Sequence, residues 1–368
     1  MQTVEKTAPT GTDPARTIRQ EILRLGDAVR ERHGWLRHQD AIGFGIFAAS
    51  SAAIVALAVA YARGALPALV VIPAAAFAMS LLHELEHDLI HRLYFKQTKW
   101  MHDLMMAGVW FFRPSTISPW VRQSLHLHHH KVSGSTSDLE ERGITNGERW
   151  GLRRLLMTGD GMLALYLRPL TVYEMVHAYV DARKPANAEE RRKLLWENRL
   201  AYLPLGVIHY TLWHAFVLYH AAAFVSGLSG HAFEPTGALA TAVHLVDFLV
   251  VVWLAPNVLR TFCLHFVSSN LHYYGDIDSK NVVQQTQVWT KWWVFPLQMF
   301  CFNFGSTHAI HHFVVRDPFY VRQMIANDAH VVMKANGVRF DDYGTFLRAN
   351  RWSARPEALG EVGASVVS

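Results

Sequence analysis

The 368-residue chain is short of charge and of cysteine: Asp, Glu, Lys and Arg make up 18% of it, and Cys263 and Cys301 are its only thiols. Neither cysteine belongs to a CxxC pair, which excludes a thiolate zinc site, a rubredoxin module and an iron–sulfur cluster as internal parts. The net charge of +5 comes without any Lys/Arg stripe interleaved with aromatics, so no nucleic acid partner is expected. Met1 to Arg19 is polar and lacks an apolar core, so no cleavable signal peptide is expected either.

What the chain does hold is apolar and aromatic. Hydrophobic residues make up 51% of it, with 12 Trp, 20 Phe and 12 Tyr, a composition suited to a bilayer. Four apolar runs read as spans: Ala41 to Tyr61, Leu66 to Leu82, Leu203 to Val225 and Val243 to Phe262. Arg63-Gly64 and Pro67 make a tight turn between the first two, and Gly227 to Gly237 separates the last two. The expected fold is all-α and polytopic, with about four transmembrane helices, interfacial helices and a cytoplasmic histidine-rich region.

Around the spans, Ile18 to His33 reads as a surface helix. Met101 to Phe112 is apolar but too short to cross at about 1.5 Å per residue, so it reads as re-entrant or interfacial. Residues 131–199 are the most polar stretch, residues 291–306 read as an aromatic interfacial helix, and a loose tail is expected from about Ser353. This divides the chain into an N-terminal cytoplasmic segment (1–39), a membrane catalytic domain (40–315) and a C-terminal cytoplasmic segment (316–368). With four spans, the N-terminus, the 92–199 loop and everything after residue 263 share one side. That side carries Arg16, Arg19, Arg24, Arg30, Arg32, Arg37 and many later basic residues, whereas the short connections on the other side carry only Arg63. The positive-inside rule makes the richer side cytoplasmic.

Of the 22 histidines, three clusters fall on that side. They are His83-Glu84-Leu85-Glu86-His87, His126-Leu127-His128-His129-His130 and His308-Ala309-Ile310-His311-His312. His83, His87 and His91 are spaced to share one helical face. His126, His129 and His130 repeat the HxxHH spacing of His308, His311 and His312. Imidazole-rich sites suit iron or zinc, and iron is favoured because neutral ligands with open positions let oxygen bind. The candidate ligands are His83, His87, His126, His129, His130, His308, His311 and His312. After the fourth run, His272 is a candidate ninth imidazole. His91, Asn270 and His265 are possible ligands or supports. Glu84 and Glu86, with Asp88, are candidates to orient imidazoles, and His128 is expected to support the ligands rather than bind.

Other roles compete for some of these groups. His83 to His87 also satisfies HExxH, in which Glu84 would be the base of a zinc hydrolase, but the two HxxHH clusters would then be unexplained. A metal transporter would need ligands continuing through the bilayer, whereas these gather at one face. His209, His214, His220 and His244 lie within the apparent spans and are read as interhelical hydrogen-bonding groups. Trp213, Trp253, Trp292 and Trp293 are read as packing or interface anchors, and Trp110, Phe111 and Phe112 as candidate walls of a substrate channel.

On these motifs the sequence resembles the integral-membrane fatty acid desaturase and hydroxylase superfamily over roughly residues 41–315. The resemblance implies a four-span helical body, a cytoplasmic non-haem centre of two iron ions, molecular oxygen as cosubstrate and electrons from an external donor. That donor would be a ferredoxin or rubredoxin with its reductase. No His-Pro-Gly-Gly motif is present, so no fused cytochrome b5 domain is expected. The first cluster is also similar to that of membrane alkane hydroxylases, and it suggests kinship with bacterial desaturase-like enzymes that decarboxylate fatty acids to terminal alkenes. The expected function is therefore oxygen-dependent desaturation of the alkyl chain of a fatty acid or fatty acyl lipid, with decarboxylation or hydroxylation as the alternatives. The expected location is a bacterial inner membrane.

Overall fold

In a computed structural model, residues 13–231 and 234–353 are described. Four helices are long and apolar enough to cross a membrane: Gln39–Ala62, Ala68–Ile90, Leu205–Leu228 and Gly237–Leu271. Among the described residues there is no strand, only the isolated bridges His272 to Thr286 and Val288 to Phe340. The protein is thus an all-α, multi-spanning membrane protein. The expected loose tail beyond Ser353 lies outside the described residues, as does part of the turn expected over 227–237.

The first two spans form an antiparallel pair, as their short connection requires. Their lipid side is apolar and exposed, with Val55, Val59, Leu69 and Phe77 facing outward. The second span is the central one. From His83 to Ile90 every residue is buried, so this polar-studded end is wrapped by protein rather than by lipid. It carries Pro73 within the helix, which a spanning helix tolerates when neighbours satisfy the freed backbone groups. Leu82, Leu85 and Leu89 of this span share one core with Met105, Met106 and Val109, so the helix Lys99–Phe112 packs its inward apolar face against the pair.

The fourth span departs most from the sequence expectation. Its apolar run ends near Phe262, yet the helix continues to Leu271, giving 35 residues. At about 1.5 Å per residue that is ~52 Å, some 20 Å more than the hydrocarbon core needs. Loss of hydropathy after Phe262 marks the end of the lipid, not the end of the helix. A π-helical turn over Val250–Leu254 precedes Pro256, where the wider turn accommodates a residue with no amide hydrogen.

Residues 291–306 do not form one helix. A short 3₁₀ turn, Trp292–Val294, and one helical turn, Phe295–Met299, end where Phe302 and Asn303 take left-handed backbone angles (φ 47° and 58°). That reversal starts a new helix, Phe304–Phe313, which carries the third histidine cluster. The N-terminal helix Pro14–Arg32 is also more than a surface element. Its Ile18 and Ile22 are fully buried with Ile310, Ile325, Ala329 and Met333, so it clamps the cluster helix and the helix Phe319–Ala335.

Candidate metal centre

Four helix ends bring the histidines together. The second span delivers His87 in its last turn and His91 as its C-cap. The helix Pro119–Val132 delivers His126, His129 and His130, and Phe304–Phe313 delivers His308, His311 and His312. The overhanging end of the fourth span delivers His272 as its C-cap. The repeated HxxHH spacing works because residues three and four apart share a helical face, while the adjacent pair points to two neighbouring positions.

Two groups result. His87, His91, His126 and His311 form one, and His129, His272, His308 and His312 form the other, each with ligand atoms within 4.8 Å of one another. His130 joins the first, its Nε2 3.1 Å from those of both His126 and His311. In the first group Nε2 of His91 is 2.9 Å from those of His126 and His311. In the second, the Nε2 separations are 3.1 Å for His308–His312, 3.2 Å for His272–His308 and 3.4 Å for His129–His312 and His272–His312.

These close approaches are not ordinary hydrogen bonds. His126 Nδ1–H donates to Glu140 Oε2 at 2.7 Å, His129 Nδ1–H to Asp138 Oδ2 at 2.9 Å and His312 Nδ1–H to Gln285 Oε1 at 2.9 Å. His272 Nδ1 lies 2.9 Å from the Ser268 carbonyl and 3.1 Å from Glu141 Oε2. With the proton on Nδ1, each Nε2 of a neutral ring presents a lone pair. Lone pairs converging at such distances repel unless a cation lies among them. Nitrogen donors at about 2.1 Å from one metal sit about 3.0 Å apart at a right angle and about 3.4 Å apart in a tetrahedron. The observed spacings match both, so the residues fit two metal ions.

Electrostatics favour the same use. Burial, followed by the His126 charge, pulls His91 down to about 2, and burial holds His126, His130, His308, His311 and His312 well below the ordinary imidazole value. Those rings are neutral and able to bind metal. His129 differs: burial opposes its charge, but the Asp138 carboxylate overcomes it and raises the ring to about 9. A carboxylate behind an imidazole raises its basicity and fixes its orientation.

Several candidates read from the sequence stand elsewhere. His83, a candidate ligand, is not brought into either group, and His91 occupies the place that spacing assigned to it. The second span rotates by about 100° per residue, so His83, His87 and His91 drift around it, and only the last two face the other clusters. His83 Nδ1 instead lies 3.4 Å from Arg113 Nη1, and its Nε2 has no partner. Because His83 and His87 do not share a metal group, the HExxH arrangement is not formed. Asn270 turns its side chain to other partners, accepting from Trp150 Nε1 at 2.9 Å and donating to the Phe266 carbonyl at 2.6 Å. His265 lies outside both groups. His128 faces Ser137 Oγ at 3.4 Å and the edge of Tyr179.

The carboxylates of the second span serve arginines rather than imidazoles. Glu86 pairs with Arg113 and lies 3.3 Å from Arg122 Nη1. Arg322 Nη2 sits 3.4 Å from Glu84 and 3.1 Å from Asp88, and Asp88 also accepts from Tyr94 and from the Phe319 amide. The imidazole-orienting groups, Asp138, Glu140, Glu141 and Gln285, were not singled out from the sequence. Their one visible sign is the acidic run Asp138-Leu139-Glu140-Glu141 shortly after the second cluster. Among the span histidines, His220 bridges the third and fourth spans through Asp247 at 2.8 Å, and His214 pairs with Asp160 at 2.7 Å. Phe111, a candidate channel wall, is instead exposed on the outer surface beside Trp253.

No curated protein matches the sequence significantly. A family model described as fatty acid desaturase matches residues 64–344, from the turn before the second span to beyond Arg322. That match takes in every histidine of both groups and the acidic residues behind them. The chain therefore belongs to the fatty acid desaturase family and is a membrane-embedded oxidoreductase acting on a fatty-acyl chain, its paired histidine clusters consistent with a di-iron centre.

Proposed function

We propose that the protein is an oxygen-dependent desaturase of the alkyl chain of a fatty acid or fatty acyl lipid, with two non-haem irons held by nine imidazoles. The observation that carries this reading is the convergence of imidazole Nε2 atoms in two adjoining groups. His87, His91, His126, His130 and His311 would hold one iron, and His129, His272, His308 and His312 the other. An all-imidazole set with no carboxylate bridge suits a redox metal with open positions better than a hydrolytic zinc, which is typically held by three ligands and a water. When bound, the two irons supply the redox chemistry with oxygen that removes hydrogen from an unactivated C–H bond.

The protein's own part is placement and exclusion. Asp138, Glu140, Glu141 and Gln285 hold His129, His126, His272 and His312 in the Nδ1–H tautomer, so the Nε2 atoms of these four rings are aimed before metal or substrate arrives. The Arg322 link to Glu84 and Asp88 pins the end of the second span, fixing His87 and His91. Phe304 stacks on His308 at 4.1 Å between ring centres and closes one wall of the centre to water.

The basic balance of the connections supports a cytoplasmic centre, reached by a soluble donor such as ferredoxin or rubredoxin with its reductase, in a bacterial inner membrane. Decarboxylation to a terminal alkene is the second reading. A buried guanidinium without an anionic partner, Arg260, favours it over hydroxylation. Metal analysis of detergent-purified protein together with product analysis tests the proposal. About two irons per chain and an internal alkene support it; a one-carbon-shorter terminal alkene selects the second reading, and one zinc per chain overturns both.

A further inference from the structure

One cluster of buried ionisable groups stands next to the metal groups and supplies none of their ligands. Arg113 and Arg260 are both fully buried, and Arg122 lies close by. Glu86 is the carboxylate shared by Arg113 and Arg122. The other two carboxylates of that helix end, Glu84 and Asp88, are taken by Arg322 from the opposite side. Arg122 is also held by Glu140 at 3.3 Å, so the three cations face two carboxylates, and neither of these pairs with Arg260. Arg260 has the barest surroundings. Its Nη2 donates to the hydroxyls of Ser115 at 3.2 Å and Thr261 at 2.7 Å, and its Nε and Nη1 have no partner. Arg113 Nε and His83 Nε2 are also buried and unpartnered.

A guanidinium withdrawn from water without a counter-ion is strongly disfavoured, and buried charges in proteins are paired. Burial, followed by the like charges of Arg260 and Arg122, holds Arg113 well below the ordinary guanidinium value. The site is thus short of negative charge. It is also close to the chemistry. His83 stands one helical turn before His87, and the ring of Phe304 lies 6.0 Å from His83, 6.4 Å from His87 and 4.1 Å from His308. Arg113 Nη1 is 3.4 Å from His83 Nδ1, and Ser115, which Arg260 holds, lies two residues further along the same connection.

We propose that Arg260, Arg113 and His83 form a buried carboxylate-binding site that takes the ionised head of a free fatty acid beside the metal groups. The inference rests on the reading of the centre as a di-iron oxidant of acyl chains and adds the form of the substrate. A carboxylate brings one negative charge and two acceptor oxygens to a place holding excess positive charge and free donors. An ester, a thioester or an alkane brings no charge and leaves Arg260 unpaired. Anchored here, the acid holds its carboxyl end beside the imidazole cage, the placement that the second reading, decarboxylation to a terminal alkene, requires.

The test compares equilibrium binding of dodecanoate and methyl dodecanoate to the purified, iron-loaded protein in neutral detergent. Wild-type protein is expected to bind the acid about 30-fold or more tightly than the ester, the size of effect seen when a buried charge loses its partner. In Arg260→Gln that preference falls to within a few-fold, and Arg260→Lys restores part of it. Equal binding of acid and ester by the wild type overturns the proposal without any variant, and so does an undiminished preference in a folded Arg260→Gln protein. The two readings fail separately. Protein with two irons that binds acid and ester alike remains an acyl-chain oxidant and loses this site. Protein without iron that still prefers the acid retains the site and loses the oxidant.

Discussion

The two metal groups are built from the same side chain but are supported differently. Behind the second group stand Asp138, Glu141 and Gln285, each reaching a different Nδ1, so three of its four imidazoles are oriented from outside. Behind the first, only Glu140 reaches an Nδ1 among the described residues, while both nitrogens of His87 and Nδ1 of His311 have no partner. The second group is fixed by hydrogen bonds and the first by packing of helix ends. The contrast teaches that one set of imidazoles is oriented by polar partners behind it, while its neighbour is left chiefly to helix packing and would be freer to adjust around a metal.

The largest effect comes from removing a ligand from either side. His311→Ala in the first group and His312→Ala in the second are both expected to lower turnover at least ~1,000-fold, with metal analysis showing loss of iron. Substantial turnover by either variant would dissolve the comparison, since one group would then be dispensable. Asp138→Asn tests the stiffness itself. Removing such a partner typically costs about 10–100-fold in metal affinity or activity, and iron retention under a competing chelator reads it directly. Glu140→Gln is expected at the lower end of that range, because packing supplies most of the first group's support. Timed chelation of the wild type sharpens the point: iron should leave in two phases, the faster belonging to the first group and lost in His311→Ala. Single-phase release would show the two positions to be equally held. His83→Ala should retain about two irons per chain, because His83 stands outside both groups. Smallest is His214→Gln, which removes the pairing with Asp160 and should lower stability by about 1–2 kcal/mol in a denaturation assay while iron content is unchanged.

Much of this was legible in the sequence because the governing signals are local. A run of some twenty apolar residues dictates a span, and two HxxHH clusters dictate pairs of imidazoles on helix faces. What was not legible depends on rotation and on distance. His83, His87 and His91 are evenly spaced, and spacing alone does not say which neighbouring pair faces Pro119–Val132 and Phe304–Phe313. Arg113, 30 residues away in sequence, stands in front of His83. The acidic residues Asp138, Glu140 and Glu141 sit in a polar stretch where carboxylates are ordinarily solvated, and only the folding of that stretch back onto the clusters buries them. The continuation of the fourth helix past Phe262 was hidden because hydropathy reports the solvent around a helix, not its hydrogen bonds. Gly275 is the first strong breaker downstream, and it would have been the better guide to where the helix ends.

The ligands of each metal position are spread widely along the chain, from His87 to His311 in one group and from His129 to His312 in the other. Neither position exists until the last of these has left the ribosome and all four spans are in the bilayer, and Ile18 must then dock against Ala329 to close the clamp. A metal pair would therefore enter a completed body rather than a nascent one.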